Sequence, residues 1–234
     1  MDASEIVKFK REMSARFKMS DLGLLCFYLG IEVRQGGDDI KLSQAAYARK
    51  ILERAGMASC NPYHTPMEPR LKLSKASTAA PVDATEYRSL VGYLRYLVHT
   101  RPDIAFAVGY VSRFMENPTT EHLNAVKRIL RYIAGTIDYG CYYKHGGKEL
   151  KLHGYSDADM GGDIDTRKST TDVLFFLSSC PVTWQSQKHK VSRVIVLRSG
   201  VHCRDDSGLS RYMAGAVACR AEERAAHSFP AKNG

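Results

Sequence analysis

The chain has 234 residues, 44% of them hydrophobic, and a formal net charge of +9. That is enough apolar content for one medium domain or two small ones, and the charge points to an acidic partner, nucleic acid being the commonest, with a merely soluble basic protein as the alternative. Six widely spaced cysteines without a C-x-x-C pair argue against a zinc site or a dense disulfide framework; a charged N-terminus and the lack of a long apolar run argue against a signal peptide or a membrane span. The expectation is a soluble intracellular chain, of cytoplasm or nucleus, with no membrane partner.

Residues 24–35, LLCFYLGIEVRQ, are aromatic and aliphatic and run into Gly36-Gly37-Asp38-Asp39, after which IKLS follows. The pattern predicts a β-hairpin over 24–42. Asp38 and Asp39 read as turn residues rather than a catalytic pair. A helix is expected at 44–56, with Tyr47, Ile51 and Leu52 on one face and Gly56 ending it. Residues 58–83 carry Pro62, Pro66, Pro69 and Pro81 among many Ser, Thr and Ala, and read as a linker or a loop draped over the surface.

Three helices come next. The first, at 84–99, has the apolar stripe Tyr87, Leu90, Val91, Leu94, Leu97 and Val98. The second opens at Thr100-Arg101-Pro102-Asp103, where Thr100 can cap and Pro102 is tolerated, and runs to Met115. Thr119 can cap the third, whose stripe is Leu123, Val126, Ile129, Leu130 and Ile133, with Gly135 ending it. Lys127, Arg128 and Arg131 on the third helix, together with Arg88, Arg95, Arg101 and Arg113, form either solvated faces or a phosphate-tracking surface. From residue 140 the period changes to two, and short strands are expected near 140–144, 150–157, 172–178 and 182–185. The fold class is therefore α+β, a helical middle followed by an antiparallel sheet.

Within HGYSDADMGGDIDTRKSTTD, the acids Asp157, Asp159, Asp163 and Asp165 fall within nine residues. Carboxylates at a strand end can present oxygen ligands to Mg²⁺, but one strand cannot complete a two-metal cage. Asp157 and Asp159 share a parity, whereas Asp163 and Asp165 are expected in the turn. A metal site and solvated turn acids both remain open readings.

The blocks FKMSDLGLLCFYLGIEV, IKLSQAAYARKIL, CNPYHTPM, YRSLVGYLRYLVHTRPDIAFAVGYVSRFMENP, HLNAVKRILRYIAGT and GYSDADMGGDIDTRKST resemble, in order, the Pol polyprotein of copia-type LTR retrotransposons. The resemblance covers residues 15 to about 192. It implies the end of a reverse-transcriptase palm over 1–57, a linker over 58–83, a helical thumb or connection over 84–139, and the N-terminal part of a ribonuclease H-like domain over 140–192. Leu29, Gly30, Ile31 and Glu32 would then be primer-grip-like, and the Arg and Lys residues of the helices would be contacts to RNA–DNA or DNA duplex. Asp157 matches the first of four metal-binding acids of ribonuclease H, and Asp159 a second acid of that motif. The chain departs from many relatives at Met160, where they have Trp, and at Thr171-Asp172-Val173, where they have Ser-Gly-Tyr.

The same resemblance implies Mg²⁺ chemistry that this chain is expected not to perform. The polymerase Tyr-X-Asp-Asp turn would lie upstream of FKMSDLG, and the rest of Pol is missing. After WQSQKHKV the family continues with a Leu-Ser-Ser-x-Glu-Ala-Glu-Tyr block. Here the chain instead turns Arg-rich, with six Arg and one Lys after residue 192. Sliding the reading frame by one base inside the Val194 codon, with permitted synonymous codons, lets residues 194–216 encode LSSCEAEYIAATTAACQGIWLA. Residues 193–234 are accordingly read as an out-of-frame tail, leaving the apolar face of strands 150–185 poorly covered. The expectation is a catalytically inactive polyprotein segment that binds duplex weakly and holds no Mg²⁺ tightly, Asp157 being a remnant. The alternatives are a host-retained nucleic-acid-binding module and a ribonuclease H completed by a partner chain.

Overall fold

The computed structural model describes residues 3–144, 150–159 and 161–189. Among them are five α-helices and seven strands in two antiparallel sheets, the mixed architecture that the change of sequence period implies. No described helix is long and apolar enough to cross a membrane. The chain opens with α1 (Ala3–Arg16), where nothing was expected; it is almost wholly exposed.

The expected hairpin is more finely divided than its composition indicated. The run 24–35 breaks into β1 (Phe27–Tyr28) and β2 (Ile31–Gln35), because Leu29 and Gly30 both take positive φ, 48° and 79°. Two consecutive residues in that region make a tight turn whose twist matches the flanking strands. β3 (Asp39–Ser43) pairs with β2 in the register Glu32↔Ser43 to Gln35↔Ile40.

A correction concerns β4 (Gly140–Lys144): it does not begin the second sheet but pairs with β3, Leu42 opposite Cys141. The approach is close. A Cβ at Gly140 would lie 2.3 Å from the Leu42 carbonyl oxygen, so glycine is required there.

The core is helical. α2 (Ala45–Arg54), α3 (Ala84–Leu97) and α5 (Thr120–Gly135) bury the stripes expected of them, and α4 (Ala105–Val111) buries Ala107, Val108 and Val111. Tyr87, Val91, Leu94, Val126, Ile129, Leu130 and Ile133 are fully inaccessible, whereas Tyr47, Val98 and Leu123 lie at its margin. Asp83 caps α3 by accepting from the Thr85 amide at 2.8 Å. The expected single helix over 100–115 is three pieces, α4 flanked by 3₁₀ turns at Pro102–Ile104 and Ser112–Phe114. Thr100 does not cap it; its hydroxyl donates to Gln44 Oε1 at 2.9 Å.

The 58–83 stretch forms no helix or strand but is fastened down: Leu73 is buried, and its amide donates to the Tyr110 hydroxyl at 3.1 Å. The second sheet comprises β5 (Leu152–Ala158), β6 (Thr170–Leu177) and β7 (Cys180–Lys188), in that order. Leu174 and Phe176 form its small core with Tyr155 and Trp184. β7 lies on α4, with the Ser186 side chain against Gly109, and the Trp184 indole N–H donates to the Val98 carbonyl at 3.0 Å. Cover is incomplete, since the cross-strand partners Leu152 and Leu177 are both exposed. The out-of-frame reading of 193–234 falls outside the described residues.

Candidate nucleic-acid interface

The cations singled out from the sequence divide sharply by environment. Arg101 is a correction: it is 1% exposed and cannot meet a phosphate. Its Nε and Nη2 donate to Asp103 at 2.9 and 2.7 Å, and Nη1 and Nη2 donate to the Thr136 carbonyl and hydroxyl, both at 2.7 Å. The Tyr132 hydroxyl also donates to Asp103, at 2.9 Å, and burial beside that carboxylate pushes the phenol well up. Arg113 is the second correction. It is mostly buried, donates to Thr170 Oγ1 at 2.8 Å, pairs with Asp163 and lies over the Tyr110 ring.

The remaining five reach the surface on two helices. On α3, Arg95 is exposed, and Arg88 is exposed while donating to the carbonyls of Met115 and Glu116. On α5, Lys127 is exposed, whereas Arg128 and Arg131 are half-buried, with the Tyr63 ring 4.7 and 5.1 Å from their guanidinium carbons. Arg128 also pairs with Glu68 at 2.6 Å. Side chains three and four apart on a helix share a face, so Lys127, Arg128 and Arg131 make one cationic stretch.

Leu29, Gly30, Ile31 and Glu32, expected from the resemblance to be primer-grip-like, form the β1–β2 turn and the start of β2. The Leu29 carbonyl accepts from the Tyr96 hydroxyl, and Glu32 Oε1 accepts from the Ala46 amide at 2.8 Å. Glu32 thus fills an orphan donor at the start of α2, a site that favours negative charge.

The acids of the second sheet do not gather into a cage. Asp157 on β5 stands opposite Asp172 on β6, which stands opposite Ser186 on β7. Burial, with the neighbouring charges of Asp157 and Asp159, raises the Asp172 carboxyl to about 6; a hydrogen bond from Ser186 opposes the rise. Asp172 Oδ1 is buried without a hydrogen-bond partner among the described residues. Asp159 accepts from the Thr170 amide, which closes the turn. Among the described residues no three His, Cys, Asp or Glu side chains are grouped to hold a metal. Mg²⁺ demands near-octahedral oxygen ligation, and these donors do not fit it.

The turn acids hold elements together instead. Asp163 accepts from Lys188 Nζ at 2.6 Å and from the Thr166 amide and hydroxyl, both at 2.7 Å. Burial would raise this carboxyl, but those donors and the Lys188 charge outweigh it and hold it at about 2. Asp165 accepts from Ser74 Oγ and the Lys75 amide at 2.5 and 2.8 Å, fastening the 58–83 stretch to the sheet, and its carboxyl is lowered by those two donors. Spacing gives no sign of these joints, nor of Tyr63, whose ring packs against two guanidiniums from within the 58–83 stretch.

Comparison with known proteins decides the family. A family described as "Reverse transcriptase (RNA-dependent DNA polymerase)" matches residues 1–69. The retrovirus-related Pol polyprotein from transposon RE1 of Arabidopsis thaliana is 46% identical over 178 residues, covering 76% of this chain and 12% of that protein. An uncharacterized mitochondrial protein of Arabidopsis thaliana is 40% identical over 177 residues and is covered over 73% of its length. The chain belongs to the copia-type retrotransposon Pol family. Within it, the Pol polyprotein from transposon TNT 1-94 of Nicotiana tabacum is 45% identical over 199 residues, with 15% of its length covered. The chain thus spans about an eighth of the RE1 Pol relative it matches. No solved structure matches it.

Proposed function

We propose that this chain is a catalytically inactive segment of Pol that binds RNA–DNA or DNA duplex weakly and in a salt-sensitive way. In this reading β1–β3 correspond to the end of the reverse-transcriptase palm, α3–α5 to the thumb or connection, and β5–β7 to the start of a ribonuclease H-like sheet. The observation that carries the binding is the surface placement of Arg88 and Arg95 on α3 and of Lys127, Arg128 and Arg131 on α5. Inactivity is supported by how the turn acids are engaged: Asp163 is bonded to Lys188 and Thr166, and Asp165 to Ser74 and Lys75.

Fluorescence anisotropy of a labelled hybrid across a salt series tests the surface. Replacing Lys127, Arg128 and Arg131 by alanine lowers affinity and reduces the salt slope by about 1 for each phosphate no longer neutralised. Unchanged binding removes this surface as the site. Mg²⁺-dependent hybrid cleavage that vanishes in Asp157→Asn would overturn the inactive reading. A host-retained binding protein is the second reading. It is favoured by the 73% coverage of a separate plant protein rather than of a polyprotein alone.

A further inference from the structure

Between α5 and the stretch preceding α3 lies a cleft of about 460 Å³, within the roughly 300–1,000 Å³ range of small-ligand sites. Four cations line it, Lys72, Lys127, Arg128 and Arg131, against two carboxylates, Glu68 and Glu121. Both carboxylates are engaged. Glu68 Oε1 accepts from Arg128 Nη1 at 2.6 Å and Glu121 Oε2 from Ser77 Oγ at 2.8 Å. Lys72, Lys127 and Arg131 have no ion pair among the described residues.

The cleft is built rather than incidental. The Tyr63 ring holds both guanidiniums, and the Tyr63 amide donates to the Arg131 carbonyl at 3.3 Å, fastening loop to helix at that point. The Nε atoms of Arg128 and Arg131 are buried with no acceptor among the described residues. A buried donor left unsatisfied is costly, and a guanidinium offers five N–H groups suited to planar pairing with phosphate oxygens. Four cations less two carboxylates leave a surplus of two positive charges. A phosphate monoester carries about −1.5 to −2 at neutral pH and matches that surplus; a diester or a single carboxylate does not.

We propose that this cleft binds a phosphate monoester group, supplied either on a free small molecule such as a mononucleotide or as the 5′-phosphate at a strand end. The strand-end source rests on the nucleic-acid reading above; the free source does not. Titration calorimetry on the full chain compares adenosine 5′-monophosphate, adenosine and inorganic phosphate. Anisotropy compares a single strand with and without a 5′-phosphate, and a blunt hybrid lacking terminal phosphates.

The monophosphate binds and adenosine does not. Arg131→Gln weakens that binding about ten- to a hundredfold, the range for hydrogen bonds to charged groups. Lys50→Gln, on the exposed face of α2, leaves it unchanged. A strand-end source appears as tighter binding of the phosphorylated strand; equal binding of the two strands with the monophosphate still bound assigns a free small molecule. Equal affinity for adenosine and its monophosphate overturns the proposal. So does monophosphate binding that survives intact in both Arg131→Gln and Lys127→Gln, with folding checked by circular dichroism. Hybrid binding without monophosphate binding removes the cleft and leaves the nucleic-acid reading standing. Monophosphate binding without hybrid binding does the reverse.

Discussion

Replacing Asp103 by alanine isolates the buried charge network that joins α3, α4 and α5. The variant removes the acceptor for Arg101 Nε and Nη2 and for the Tyr132 hydroxyl, at 2.7 to 2.9 Å. The guanidinium keeps its two bonds to Thr136 and the rings of Tyr132 and Tyr139, 5.6 and 5.3 Å from its carbon. Three hydrogen bonds to charged groups, at about 1.5–3 kcal/mol each, set a gross loss of roughly 5–9 kcal/mol. Relaxation around the vacated space reduces that, and removing one partner of a buried pair costs about 3–5 kcal/mol.

Glu68→Ala is the internal comparison, because the Arg128–Glu68 pair is 20% and 58% exposed and pairs of that kind contribute about 1 kcal/mol or less. Urea unfolding followed by circular dichroism and by fluorescence of Trp184, the sole tryptophan, gives both midpoints. Because the Trp184 indole bonds to Val98, its signal also shows whether sheet and helices unfold together. Against a typical domain stability of about 5–15 kcal/mol, Asp103→Ala removes a large share and Glu68→Ala very little. The paired substitution Arg101→Met with Asp103→Leu recovers most of the loss, since well-packed apolar residues replace a buried pair at little cost. Asp103→Ala no more damaging than Glu68→Ala would refute the reasoning.

Two carboxyls give opposite pH dependences. Asp163 is held at about 2 against an ordinary 3.8, so its contribution is full above pH 3.8 and is lost as pH falls through 2. At 1.36 kcal/mol per unit it amounts to about 2 kcal/mol, and Asp163→Asn should abolish that acid limb in unfolding experiments; an unaltered limb counts against it. Asp172 is raised to about 6, so its penalty is absent below pH 3.8 and grows as pH rises through 6. Asp172→Asn should therefore stabilise the protein by roughly 3 kcal/mol at pH 7.5 and change little at pH 4; equal shifts at both pH values would contradict this.

The helical half of the molecule was legible because its signals are local. The stripes Tyr87–Leu90–Val91–Leu94 and Val126–Ile129–Leu130–Ile133 sit at helical spacing, and one helix face can be buried in only one sense. Strand parity likewise placed β5 and β6, and 58–83, expected as a linker or surface loop, carries neither helix nor strand. The family itself was legible in collinear blocks of ordinary core and turn residues.

What only the tertiary structure decided concerns polar groups and long-range pairing. Arg101 and Arg95 look alike in the sequence, yet one is sealed against Asp103 and Thr136 while the other faces solvent. β4 has a strand's period, but its union with β3, about a hundred residues earlier, depends on where α5 delivers the chain. Asp157 meets Asp172 through the register of two strands, and Asp163, between β5 and β6, finds Lys188 at the end of β7. Hydrophobic burial is non-directional and leaves a periodic trace in the sequence. Hydrogen bonds and ion pairs require distances set to within a few tenths of an ångström between residues far apart in sequence, and no spacing records those.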